Sequence, residues 1–405
     1  MTANGTQNGG KSASFQLHLI VVGAGLAGLA AAISTRLEGH RVTVLEKVSK
    51  LEEIGAGLQV TPNASRLFHH WGVYDELGSK AAIPSYLAVR RYDGTQMLSY
   101  EEHFQKKVLE RYNAPFWDVH RADLQEALDG QTVQGDLILG ADGLWSRTRS
   151  FLLGRQLTPK PTGDLAYRII LNLEDIEDPE LRDLVSKPSV NLWIGPESHV
   201  VGYSLRQGKT YNLVLLRPDD LPEDVSRAAA NVDEMRKLFE SWDPILSKLL
   251  ACVNQVDKWR LMHISTLDAW VNDEGTFLMA GDACHPMLPY LAQGANSSLE
   301  DGAVLGRLLK YVTSRDKLTP ALEMYQQLRK TRGEGIAKEA LGQRDSFHLP
   351  DGPEQEQRDA LLLEYLGKEA PPHFPSRWSC PTVQPWLWGY DAVVEADKAY
   401  ETHPF

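Results

Sequence analysis

Residues 17–46, LHLIVVGAGLAGLAAAISTRLEGHRVTVLE, constrain the fold more than any other part of this chain. A short apolar run over 17–22 enters a turn carrying Gly23, Gly25 and Gly28, an Ala/Leu-rich helix is expected to about Glu38, and a second strand ends at Glu46. That pattern is one complete β-α-β unit. Gly23 lets the chain turn off the strand, Gly25 leaves bare backbone for a pyrophosphate, and Gly28 allows close helix–strand packing, so phosphates would sit on the positive end of the helix. Glu46 is positioned to accept hydrogen bonds from the hydroxyls of an adenosine ribose and would repel a 2′-phosphate. The unit therefore reads as a site for FAD or NAD(H) rather than NADP(H). A glycine-rich turn in an unrelated α/β protein lacks this combination of strand, helix and distant acid. A membrane span needs about 20 uninterrupted apolar residues, which the clustered glycines and the charged run Arg36, Glu38, His40, Arg41 deny.

At 405 residues the chain has room for two domains or for one large domain with an inserted part. Its net charge of -12 speaks against a nucleic-acid partner and against anionic membrane surfaces, a local basic patch apart. Three widely spaced cysteines, Cys252, Cys284 and Cys380, make neither a disulfide framework nor a metal cluster, and they point to a reducing compartment. Residues 1–16 are polar and small, without the apolar core of a signal peptide, and read as a flexible leader. No transmembrane segment is expected, the C-terminal residues carry no lipidation or peroxisomal address, and the expected location is cytoplasmic.

Further along, Gly55 and Gly57 flank a small residue and allow a second close approach to a flat ligand, and Pro62-Asn63 opens a helix over 64–71. Residues 87–92 and 96–100 read as strands joined by an Asp93-Gly94 hairpin turn. His120-Arg121-Ala122-Asp123-Leu124 begins a helix, and a strand over 132–139 runs into Gly140-Ala141-Asp142-Gly143 followed by Arg147 and Arg149. Beta-rich runs at 166–173, 190–194, 200–205 and 211–216 suggest a second sheet, followed by a helix over 233–250. Residues 276–280 form a short strand ending in Gly281-Asp282-Ala283-Cys284-His285-Pro286, and Gln293-Gly294-Ala295-Asn296 opens a helix over 297–312. That helix again offers backbone amides to a ligand, and Asp282 can accept from the hydroxyls of a polyol. The Pro- and Trp-rich stretch from Pro350 is expected to wrap the core.

Taken together, GAGLAGL with Glu46, GADGLWSRTR, and GDACHPMLPYLAQGANSSLEDGAVLG resemble the FAD-dependent aromatic hydroxylases, the para-hydroxybenzoate and salicylate hydroxylase superfamily. WIGPESHVVGYSLRQGK and PSRWSCPTVQPWLWGYDA are most similar to the fungal salicylate-hydroxylase-like monooxygenases of secondary metabolism. The resemblance implies an α/β fold: a Rossmann-like FAD-binding domain over 17–160 and 276–345, interleaved with a β-rich substrate domain over 161–275 and closed by a wrapping tail over 346–405. It implies FAD as cofactor, NADPH or NADH as co-substrate, dioxygen, and an aromatic or polyketide-like substrate hydroxylated through a flavin hydroperoxide.

The resemblance also implies roles. Glu46 would hold the ribose, residues 55–57 would lie near the flavin, and Arg121 would reach the cofactor. Asp142 and Gly143 would serve FAD and the nicotinamide nucleotide, Asp282 the ribityl chain, and Gly294 with Ala295 the pyrimidine edge of the flavin. Arg168 and Tyr203 would face the substrate, Arg168 anchoring a phenolate or carboxylate. Without the family, Arg168 reads as a surface ion-pairing residue and Tyr203 as packing. His285 reads as structural and Cys284 as a small buried residue. One departure stands out: the family has a helix, a strand and a hairpin between the HRADL and GADG segments, where this chain has only residues 125–139. The alternatives are an epoxidase or Baeyer–Villiger-type monooxygenase, and a non-enzymatic or inactive member whose cofactor domain has been cut short.

Overall fold

A computed structural model describes residues 13, 15–47, 57–120 and 135–405. Gly55, Arg121, most of the leader and most of the shortened segment lie outside these residues. The opening unit forms as β1 (His18–Val22), α1 (Leu26–Leu37) and β2 (Arg41–Leu45). Next come β3 (Gly57–Val60), α2 (Pro62–Trp71) with Pro62 in its first turn, and α3 (Tyr74–Lys80). They are followed by the hairpin β4 (Tyr86–Arg91) and β5 (Met97–Glu102), α4 (Phe104–Tyr112) and β6 (Trp117–His120). β7 (Leu137–Gly140) leads to α5 (Arg147–Leu153), β8 (Lys160–Asn172), α6 (Pro179–Ser186), β9 (Val190–Gly195), β10 (Ser198–Leu205), β11 (Thr210–Pro218) and β12 (Arg227–Ala230).

The single helix expected over 233–250 is two helices, α7 (Val232–Leu238) and α8 (Pro244–Ala251). Proline forces the residue before it out of helical geometry, and Asp243 there caps the new helix by accepting from the Ile245 amide at 3.0 Å. β13 (Val256–His263), β14 (Phe277–Met279), α9 (Gly294–Leu309) and α10 (Leu318–Phe347) complete the body. The tail folds as α11 (Pro353–Glu364), α12 (Val383–Trp388) and α13 (Ala392–Thr402).

Among the described residues, β14-β7-β1-β2 form a parallel sheet, and β12-β13-β8-β11-β10-β9-β4-β5 form a larger sheet that is antiparallel except between β9 and β4. The β4–β5 hairpin, grouped with the cofactor part when the chain is divided at residue 160, thus belongs to the large sheet. β9 would otherwise present an unpaired edge, and the hairpin covers it. α9 lies against α1 at close range. A Cβ on Gly302 or Gly306 would run into the backbone of α1 at Ala30–Ala31 or Ser34–Thr35, so the small residues on both helices set the separation.

Strand alternation sorts the large sheet into two faces. Leu165, Tyr167, Ile169 and Leu171 of β8 join Trp193, Tyr211, Leu213 and residues of α6 to α8 in a core on one face. Ala166 and Arg168 point the other way, toward α9, α10 and the tail. Trp378 and Trp388 of the tail are 4% and 0% exposed and belong to that second core, while Trp386 is 41% exposed. The tail is thus built into the body at those two rings. Among the described residues, no helix is long and apolar enough to cross a membrane.

Candidate active site

A cavity of about 230 Å³ opens between the large sheet and the loops that follow β3 and β14. Its floor is one face of β8 to β11. The register aligns His199, Leu216 and Ala166 in one row, Val201, Val214 and Arg168 in the next, and Tyr203 with Asn212 in a third. Rows two residues apart are separated by about 7 Å. The floor is therefore apolar in the middle and polar at its edges. Gly57, Leu58 and Gln59 of β3, residues 287–295 and Trp378 line the rest.

Tyr203 is 5% exposed. Burial, reinforced by Asp118 nearby, pushes its phenol far above the ordinary range, so its hydroxyl is a neutral donor. Its ring meets Gly57: a Cβ there would lie 2.6 Å from the hydroxyl. Arg168 lines the same cavity from an exposed position, its guanidinium 5.4 Å from the centre of the Trp259 ring. Asp118, opposite Gln59 in the β3–β6 pair, is fully buried, and neither carboxyl oxygen has a partner in hydrogen-bonding geometry among the described residues. Burial pushes its pKa well above the carboxylate range, against a smaller opposing pull from the Gln59 side chain.

Gly294 and Ala295 open α9, where the first-turn amides lack intrahelical partners. Just before them Ala292 has φ +54°, a left-handed conformation that costs a non-glycine residue about 1 kcal/mol or more. Asn296 holds it there: its side-chain amide donates to the Ala292 carbonyl at 2.5 Å and to the Gln59 carbonyl at 2.9 Å, and its oxygen accepts from the Thr61 amide at 3.0 Å.

The glycine turn fits a dinucleotide. Gly23 has φ +107°, and a Cβ on Gly28 would strike the Gly23 carbonyl, whereas a Cβ on Gly25 would have only the Ala141 oxygen at 3.9 Å. The open side of the turn is thus the one left for a phosphate. The Glu46 carboxylate reaches the turn and accepts from the Ala24 amide at 2.7 Å. Gly281 packs beside Ala27 of α1, which brings the exposed Asp282 to the same region. These residues suit the adenosine, pyrophosphate and ribityl parts of FAD, and the α9 amides suit its ring.

Asp142 is committed differently. Its oxygens accept from the Ser146 hydroxyl at 2.6 Å, the Thr148 hydroxyl at 2.5 Å, and the amides of Arg147 and Thr148 at 2.8 and 3.0 Å. Burial favours the neutral acid, but these bonds outweigh it and hold the pKa below the usual value. In this structure the carboxylate organises its own turn and the start of α5. His285 is held by Asp301, with Nε2 2.5 Å from the carboxylate, and stacks on Trp270. Cys284 is buried, which pushes its thiol well above the ordinary range.

Sequence reasoning missed Gln59, Asp118, His199, Asn212 and Tyr290. Period-two spacing from Tyr203 would have put His199 on its face of β10. Asn212 and Asp118 depend on pairing between strands, which a single sequence does not reveal.

Comparison with known proteins agrees with this geometry. Residues 116–340 match a family described as an FAD binding domain, and residues 18–53 match a second so described. The chain is 53% identical to an FAD-dependent monooxygenase, OpS4, of Beauveria bassiana, over 95% of this chain and 97% of that protein. It is 30% identical to the 3-amino-4-hydroxybenzoate 2-monooxygenase PtmB3 of Streptomyces platensis, over 93% and 96% of the two chains. A salicylate hydroxylase in complex with substrate shares the fold at a TM-score of 0.75 and 21% identity, covering 95% of this chain and 98% of that one. The chain belongs to the FAD-dependent aromatic hydroxylases. Within them, it falls among the FAD-dependent monooxygenases that have fungal members.

Proposed function

We propose that the chain uses NADH or NADPH and dioxygen to hydroxylate an aromatic or polyketide-like small molecule, in the cytoplasm and as a step of fungal secondary metabolism. The observation that carries this reading is a single cavity lined both by Gly294 and Ala295, the first residues of α9, and by Arg168 and Tyr203 of the large sheet. FAD, when bound, supplies electron transfer from the nicotinamide and the activation of dioxygen. The remaining work belongs to side chains and backbone. The α9 amides favour negative charge developing at the flavin edge. Arg168 draws a phenolate or carboxylate to the cavity mouth, and Tyr203 donates to a substrate oxygen. Val201, Val214 and Leu216 form a dry floor for a ring.

The relatives named as monooxygenases of fungal origin and of 3-amino-4-hydroxybenzoate support the substrate class. The shortness of residues 125–139 favours a second reading, a member that has lost activity. The two readings separate on FAD-loaded protein given a panel of hydroxybenzoates and larger phenols under heavy-isotope dioxygen. The proposal expects nicotinamide oxidation stimulated by at least one of them and one labelled oxygen in its product. Basal oxidation that no phenol stimulates, or product without label, would overturn it.

A further inference from the structure

The cavity end away from Tyr203 is closed by a histidine pair that the reading above does not use. His199 lines the cavity, roughly 13 Å along β10 from Tyr203. Its Nδ1 lies 2.7 Å from Nε2 of His348, the residue that ends α10. Both rings are buried, and Tyr290 packs edge-on to His348.

One proton joins the two rings, and the surroundings decide which nitrogen carries it. Nδ1 of His348 is buried and has no hydrogen-bond partner among the described residues. A buried N–H without an acceptor is rarer and costlier than a buried lone pair without a donor. His348 therefore keeps its proton on Nε2 and donates it to Nδ1 of His199. A neutral His199 must then carry its own proton on Nε2, the nitrogen left for a cavity ligand.

Burial outweighs the charged groups around the pair. Asp164, bonded to Arg344 at 2.5 and 2.9 Å and to the Tyr290 hydroxyl, is the strongest charge favouring an imidazolium on His348. Arg344 opposes it and Asp345 adds to it, and burial is larger than any of the three. Burial, with a like charge in His348, holds His199 well below its ordinary pKa, and burial brings His348 to about 4.

We infer that His348 is a positioning residue that fixes the tautomer of His199, so that this end of the cavity offers an uncharged N–H donor and selects substrates with an oxygen acceptor there. With Tyr203 donating at the other end, the favoured ligand is an aromatic ring bearing oxygen acceptors toward both ends, over an apolar middle. This rests on the monooxygenase reading for the word substrate, but its test does not.

The test is nitrogen NMR of the full chain labelled with ¹⁵N-histidine, assigned with His199→Gln and His348→Phe. At pH 7 the expected spectrum has His199 and His348 each protonated at Nε2 and bare at Nδ1. In His348→Phe, His199 is expected to shift to a mixture of both tautomers, while His348→Gln, whose amide can still donate, restores the single tautomer. A bare Nε2 on His199, an imidazolium signal at pH 7, or a His199 spectrum unchanged in His348→Phe would overturn the inference. Failure to bind flavin would defeat the monooxygenase reading and leave this result standing.

Discussion

Asp118 shows how one buried side chain bears on the site. Its carboxyl lies near Tyr203 and Tyr211, and burial outweighs the pull of the Gln59 side chain, the one group that favours its ionised form among the described residues. A folded-state pKa raised above the unfolded value means stability that is complete below about pH 4 and is lost as pH rises toward the folded pKa. Asp118→Asn removes that loss. The variant is therefore expected to gain more thermal stability over the parent at pH 8 than at pH 5, in paired melting curves. An equal difference at both pH values would mean that Asp118 is ionised in the fold.

At the scale of elements, α9 is the piece on which the site turns, and buried charge anchors it. Glu300 accepts from Arg332 at 2.8 Å and from Asn63 at 2.7 Å, and pairs with Arg329 at 2.8 Å, while Asp301 joins Arg329 to His285. Burial opposes ionisation of Glu300, but Arg332 and Arg329 outweigh it. Glu300→Gln leaves two buried guanidiniums short of charge and is expected to cost about 3 kcal/mol, measured by denaturant unfolding. A loss under about 0.5 kcal/mol, the size of an ordinary surface change, would contradict the anchoring role. Very little of this anchor was legible. The glycine turn, Glu46 and the start of α9 could be read because local spacing along the chain dictates them. Most strands could be read from their runs of β-formers, but β3, β6, β12 and β13, which are short or interrupted by charged and polar residues, were missed, and so was the helix break at Pro244 although proline marks it. The union of the β4–β5 hairpin with β9, and the meeting of Gln59, Asp118, Asn212 and His199, depend on which strands pair. The sequence pattern gives each strand's two faces but not its neighbours.

For the whole molecule, the question is whether a chain with only residues 125–139 between its HRADL and GADG segments builds the cofactor site. The alignment with the Beauveria bassiana relative spans 416 positions, more than the 405 residues of this chain, so the relative has residues where this one has none. The described residues are consistent across scales: β7 joins β1 to β14 in the parallel sheet, the turn opens at Gly25, and Gly294 and Ala295 at the start of α9 line the cavity. The most direct measurement is the visible absorption spectrum of purified protein incubated with FAD and then passed through gel filtration, with Gly28→Ala as a control whose added methyl collides with the Gly23 carbonyl. The account predicts a flavin spectrum that stays with the protein and is lost in Gly28→Ala. Protein that emerges colourless after incubation, while folded by circular dichroism, would contradict it.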